Sequence, residues 1–267
     1  MSFTLKLDNS RILKGIVETL SSIIDETEFK VSPKEFVITA MDPSRICLLK
    51  LSIKKENFDD YKCGKESKIG LNLDDLDKIL RRSATNDNIE IDFKESEQKI
   101  KITMQREGNT RKRTFSLALI DLEREEIPMD NLLKIEYPSN WVIDPDFLVE
   151  AIKDAEIYSE ILNMKAVATE GLVFSSTGQI GEMEYDLSID DLIESDIKET
   201  CTGAYSLTFL KAILKIASIT EKLEISLKTD HPLKMIFNLL EGGELHYFLA
   251  PRVEEAEFDD DDDMDEF

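Results

Sequence analysis

Apolar residues recur along this chain in two rhythms. Ile12, Leu13, Ile16, Val17 and Leu20 fall at helical spacing behind Asn9 and Ser10, either of which can cap a first turn. Alternation with a period of two follows over Glu35 to Thr39 and Ile46 to Ile53, which predicts strands. A second short helix is predicted from about Asp74 to Ser83. A hairpin comes next, with arms IEIDF and KIKITMQ around a polar turn.

The same series then appears again. Leu71 to Phe93 lies without gaps on Tyr205 to Leu227, 134 positions later, so that Leu73, Leu76, Ile89 and Ile91 meet Leu207, Leu210, Leu223 and Ile225. Ile12, Leu13 and Val17 fall on Phe147, Leu148 and Ile152 at an offset of 135. Phe36 to Ile38 fall on Leu172 to Phe174, and Leu51 to Ile53 on Leu187 to Ile189, both at 136. Small drifts in offset are what loop insertions produce. The second series is predicted as Pro145 to Ala155, Lys165 to Ser175, Thr208 to Ser218, and the pair LEISLK and KMIFNLL. Few short helices among many strands make the class α+β, with two similar domains, rather than the β-helix-β alternation of parallel sheets. The first copy covers residues 1–119 and the second 141–253. Between them, residues 120–140 carry Pro128, Pro138 and mixed charge, which predicts a partly extended surface connector.

Charge sharpens this picture. Lys and Arg total 33 against 56 Asp and Glu, a net charge of −23, which excludes a conventional basic DNA-binding domain. Residues 254–267 hold ten of the acids and no base, which predicts a disordered tail serving solubility or partner binding and leaves −13 for the body. At 42% hydrophobic the body can still bury a core, and no apolar run approaches the ~20 residues of a membrane span. MSFTLKLDNS has neither the basic region nor the apolar core of a signal peptide. Cys47, Cys63 and Cys201 share no metal-ligand spacing and suit a reducing compartment.

Two charge patterns point to partners. Lys78, Arg81 and Arg82 share one face of the second helix, and Lys211 and Lys215 stand one turn apart on the fourth. Arg11 and Lys14 add to the first helix, and Lys153 to the third among several acids. These are either solvated outer faces or one basic surface that meets phosphates without reading bases. Arg106, Arg111, Lys112 and Arg113 cluster late in copy one, and Glu182, Glu184 and Asp186 in copy two. They are either ordinary charged edge strands or the two halves of a head-to-tail contact between subunits.

Taken in order, these segments resemble the DNA sliding clamps of the PCNA type, over essentially the whole chain to Val253. ILKGIVETL is similar to the first clamp helix, and TAMDPSRICLLKLSI to the Met-Asp-x-Ser loop and the strand after it. LNLDDLDKIL is similar to the second helix, IDLEREEIP to the interdomain connecting loop, and HYFLAPRVE to the Leu-Ala-Pro-Lys/Arg signature. The resemblance implies a trimeric ring with antiparallel sheets outside and short helices lining a hole for duplex DNA. The basic residues named above would then face the hole. It also implies docking of polymerase, clamp loader, flap endonuclease and DNA ligase by a short PIP-box motif. Residue-by-residue match puts Met41, Leu48, Ile127, Pro232, Phe248 and Ala250 in that pocket, with Pro251 and Arg45 beside it. Arg45 stands where other clamps have His, and Glu125 where an apolar loop residue is common, which bears on partner preference. For Met41 and Leu48, plain core packing is the other reading. The ring is either a homotrimer or completed by paralogues, as in a checkpoint-type clamp, and an acidic chaperone or DNA mimic is a further alternative. An archaeal likeness implies the cytoplasm; a eukaryotic source would imply the nucleus.

No catalytic constellation, cofactor motif or metal-ligand set is evident. His231 and His246 lack neighbours that would make a ligand set or nucleophile pair, and TGQIGE lacks the Lys-Ser/Thr of a phosphate loop. EGG at 241–243 reads as a hairpin turn. The expectation is a binding module without enzymatic activity, cofactor or membrane partner.

Overall fold

A computed structural model describes residues 2–106, 108–122, 127, 129–239 and 242–252. The expected acidic tail, Val253, Glu125 and Glu241 lie outside these. Copy one runs β1 (Ser2–Leu7), α1 (Arg11–Ser21), β2 (Glu26–Val31), β3 (Glu35–Met41), β4 (Cys47–Lys54), β5 (Asp60–Cys63), β6 (Ser67–Asn72), α2 (Leu73–Leu80), β7 (Asp87–Lys94), β8 (Lys99–Arg106) and β9 (Lys112–Ala118). Among its described residues the connector holds one short helix, α3 (Met129–Leu133). Copy two runs β10 (Ser139–Ile143), α4 (Pro145–Ala155), β11 (Ile161–Val167), β12 (Gly171–Gly178), β13 (Gly181–Ser188), β14 (Glu194–Ile197), β15 (Cys201–Ser206), α5 (Leu207–Leu210), α6 (Ile213–Ala217), β16 (Thr220–Leu227), β17 (Leu233–Leu239) and β18 (Glu244–Leu249).

The repeat governs the sheets. Copy one forms a five-stranded antiparallel sheet in the order β5-β1-β7-β8-β9, and copy two the same order, β14-β10-β16-β17-β18. Each copy also forms a four-stranded set, β4-β3-β2-β6 and its counterpart β13-β12-β11-β15. The five strands of copy two join the four of copy one through β18 and β4, making a single nine-stranded sheet. Among the described residues, the outer edges of β9 and β13 have no strand partner.

The helices form one layer against these sheets. The apolar stripe of α1 is buried, and Asn9 Oδ1 accepts from the Arg11 amide at 3.1 Å, while fully buried Ser10 donates to the Ala84 carbonyl instead of capping. At Gly15 a Cβ would come within 2.9 Å of Ile219, so glycine there lets α1 pack closely on copy two. For α2, Asn72 caps the Asp75 amide, and Asp74 and Asp75 favour the positive end of the helix.

Three expectations are corrected. The helix predicted to reach Ser83 ends at Leu80, where Ser83 Oγ donates to the Leu80 carbonyl. The helix predicted over Thr208 to Ser218 is broken into α5 and α6, with i→i−3 bonds from Ala212 and Leu214 at the break. Lys165 to Ser175 is no single strand but crosses the β11–β12 turn, where Gly171 takes φ +117.

The copy-to-copy register also changes. Phe36 pairs with Ile53 and its counterpart Leu172 pairs with Leu187, so Leu187 corresponds to Ile53 and not to Leu51. The cause is loop length: four residues separate Asp42 from Cys47, but only Gln179 and Ile180 separate paired Gly178 and Gly181. The offset therefore falls from 136 to 134 within this hairpin. Finally, β10 begins at Ser139, inside the segment expected to be connector.

Candidate nucleic-acid interface and docking pocket

α1 packs between α2 and α6, and α6 also touches α4, so the helices of both copies form one continuous surface. Arg11, Lys14 and Glu18 recur at helical spacing on the face of α1 away from its buried stripe. Arg11 donates to the Ser218 carbonyl at the end of α6. Lys78 pairs with Asp75 at 2.9 Å, Arg81 with Asp77 at 2.6 Å and Glu18 at 3.8 Å, and Lys215 with Glu18 at 3.3 Å. Lys211 pairs with Glu156. Among the described residues, Lys14, Arg82 and Lys153 have no ion-pair partner. The eight basic residues expected from the sequence thus share the helix layer, but five of them are already engaged within the chain.

Asp77 is the unexpected member of this surface. It is 6% exposed, and its Oδ1 is buried without a hydrogen-bond partner among the described residues. Burial pushes its carboxyl above the ordinary value of 3.8, against the Arg81 guanidinium, and Glu18 adds to the rise. Its counterpart in copy two is Lys211; helical spacing sets position 77 on the stripe of Leu73, Leu76 and Leu80, but an acid there reads as solvated.

On the other side of the nine-stranded sheet, Leu48 and Phe248 pair across β4 and β18 and form an apolar cluster with Met129, with Met41, Ile127 and Leu132 packed around it. Four of the expected pocket residues are therefore together. Met129 and Leu132 were missed, although IPMDNLL carries them at apolar spacing, because the segment was expected to be a partly extended surface connector. Ala250 and Pro251 follow β18, with Pro232 opposite at the start of β17, beside the cluster rather than in it. The 42–46 loop is wired by Asp42, which accepts from the amides of Ser44 at 2.9 Å and Cys47 at 2.5 Å and holds Arg45 at φ 59.

The two clusters of interface candidates divide unevenly. Arg113 donates to Asp87 at 2.7 Å and to the Arg82 carbonyl at 3.0 Å, and Arg106 approaches the same carboxylate at 3.5 Å. Both arginines serve a buried acid of their own chain. Arg111 and Lys112 remain exposed at the start of β9. On β13, Glu182, Glu184 and Asp186 are exposed and alternate with Met183 and Tyr185, whose hydroxyl donates to Glu150 of α4.

Comparison with known proteins bears on the whole chain. Residues 2–126 match the model of the proliferating cell nuclear antigen N-terminal domain, and residues 146–252 that of its C-terminal domain. A DNA polymerase sliding clamp of Thermofilum pendens is 34% identical over 249 residues, 92% of this chain and 97% of that protein. One from Thermococcus gammatolerans is 32% identical over 257 residues, covering 96% and 100%. Among solved structures, a PCNA2–PCNA3 complex of Sulfolobus tokodaii aligns with TM-score 0.84 at 26% identity, over 93% of this chain and 99% of that one. PCNA of Thermococcus kodakaraensis aligns with TM-score 0.83 at 25% identity, over 94% and 100%.

Proposed function

Because the chain belongs to the proliferating cell nuclear antigen family, we propose that it is a DNA sliding clamp, three copies of which close around duplex DNA to hold a polymerase on its template. The observation that carries this reading is the pair of open edges. In a single chain, β18 of copy two closes on β4 of copy one. The counterparts of those strands are β9 and β13, and among the described residues both edges are free. Head-to-tail addition of subunits through β9 and β13 repeats the internal join and turns two domains per chain into a closed ring.

The internal register supplies the external one. Tyr247 faces Leu49 across the β18–β4 join, and their counterparts are Phe115 and Met183. The same pairing sets Lys112 opposite Asp186, Thr114 opposite Glu184 and Ser116 opposite Glu182. A base at one end of β9 and acids along β13 are complementary across such a ladder.

On this reading the helix layer lines the hole. Contacts from mobile cations to phosphates carry no sequence information, and enclosure allows each contact to be weak. The apolar cluster around Leu48 and Phe248 takes the PIP-box segments of polymerase, clamp loader, flap endonuclease and DNA ligase, with the flexible Met41 and Met129 adapting to each. Its counterpart at the β9–β13 join is Thr177, Glu182 and Ser116, which is polar, so each chain offers one docking pocket. The work is binding rather than catalysis. The archaeal sources of the relatives support the cytoplasm as its compartment.

A second reading keeps the ring but fills it with paralogues, favoured by the similarity to a PCNA2–PCNA3 complex. Light scattering separates the two. One chain is 30.5 kDa, so a homotrimer has a mass near 90 kDa, whereas a chain that needs paralogues stays smaller until they are added. Changing Lys78, Arg81, Lys211 and Lys215 to Glu is expected to abolish clamp-stimulated synthesis with the ring intact. Unchanged stimulation would remove the channel assignment.

A further inference from the structure

Glu18 lies at the boundary between the copies. Its Oε1 approaches Arg81, which caps the end of α2, at 3.8 Å and Lys215 of α6 at 3.3 Å, and its side chain is 25% exposed. Arg81 and Lys215 are counterparts, 134 positions apart, so one carboxylate stands between the two equivalent cations of the chain. The counterpart of Glu18 itself, at the offset of 135 that relates α1 to α4, is Lys153. Lys153 is exposed and has no ion-pair partner among the described residues.

We propose that Glu18 is a positioning residue that tempers the DNA-facing surface: by engaging Arg81 and Lys215 at the helix junction inside each chain, it withholds those two cations from phosphates. This rests on the reading that the helix layer faces DNA. In a ring, α4 stands toward the next subunit's α2 as α1 stands toward α6, so Lys153 takes at the subunit boundary the place that Glu18 takes within the chain, there among the exposed acids Asp146, Glu150 and Asp154. Cations already matched to a protein carboxylate displace fewer counterions when DNA arrives, which lowers affinity and flattens its dependence on salt.

The test is binding of a short fluorescent linear duplex to the assembled protein across roughly 20 to 150 mM salt. The wild type is compared with Glu18→Gln, which keeps shape and removes charge, and Glu18→Lys, which gives copy one the residue of copy two. Freeing Lys215 is expected to tighten binding at low salt and to steepen the slope of log affinity against log salt by ~0.9, the contribution of one further phosphate contact. Glu18→Lys is expected to go further in both. A residue that only held α1 to its neighbours would lower thermal stability without steepening that slope. Unchanged or weaker binding by Glu18→Gln, in a ring of normal mass, overturns the proposal. Lys215→Glu guards the premise: if it binds DNA as well as wild type, the channel reading fails. If it binds less while Glu18→Gln is silent, only the role of Glu18 falls.

Discussion

Arg113 Nη2 lies 2.7 Å from Asp87 Oδ2, a carboxylate whose side chain is 2% exposed. The pair belongs to the packing of copy one, and the Ala84 amide also donates to Asp87 at 3.0 Å. Removing Arg113 leaves a buried charge supported by the Ala84 amide and the more distant Arg106. Arg113→Ala is therefore expected to lower stability by about 2 to 3 kcal/mol in denaturant unfolding, while Arg111→Ala, exposed on the same hairpin, changes it by less than about 0.5. Equal effects from the two would mean that the Asp87 contact contributes nothing.

Lys112 gives the sharpest check on ring closure. If it faces Asp186 of a neighbouring copy, Lys112→Glu sets two acids together on adjoining strands and dissociates the ring to a mass of 30.5 kDa. Combining it with Asp186→Lys restores the opposite charges and the higher mass. A double variant that stays monomeric would place the contact in another register.

Docking is expected to depend on Ile127, which is half-buried over Leu48 and Phe248. Ile127→Ser leaves those two in place and should weaken a PIP-box peptide roughly tenfold by titration calorimetry, the scale of losing one apolar anchor. Ser116→Ala, at the polar counterpart of the pocket, should leave peptide affinity alone. The reverse pattern would move docking to the subunit boundary.

Asp77 predicts a pH effect. Burial raises its folded carboxyl above the ordinary 3.8, so the folded state binds this proton more tightly than the unfolded chain. Its contribution to stability is full below the ordinary value and is lost as pH rises through the raised one. Asp77→Asn, uncharged at every pH, is expected to melt higher than wild type near neutrality and to lose that advantage as the pH falls toward 3.8. A constant difference across the range would assign the effect to the lost Arg81 contact.

The helices and strands were legible because their apolar rhythm survives in both copies: Ile12 to Leu20 and Ile89 to Phe93 are buried as the spacing predicts. What misled the alignment was a loop. A hairpin two residues shorter in copy two shifts Leu51 against Leu187, and the pattern of apolar residues there looks alike in either register. Charge was less informative than hydrophobicity. The sequence puts Arg106, Arg111, Lys112 and Arg113 in one cluster, but only the fold separates the two arginines spent on Asp87 from the two residues left outside. Asp77 was hidden for the same reason: a carboxylate among Asp74 and Asp75 looks solvated until the helix turns it inward. Met129 and Leu132 were lost because a connector with two prolines gives little sign of a five-residue helix.

The join between β18 and β4 also sets an order of events in synthesis. β4 emerges from the ribosome early, and its partner is the last strand of the described chain, nearly 200 residues later. Through most of translation copy one therefore carries an unsatisfied strand edge with Leu48 uncovered beside it, a ready template for pairing with a neighbouring nascent chain. Lys50 and Lys54 on that strand supply the charge that discourages such pairing until the C-terminal strand arrives.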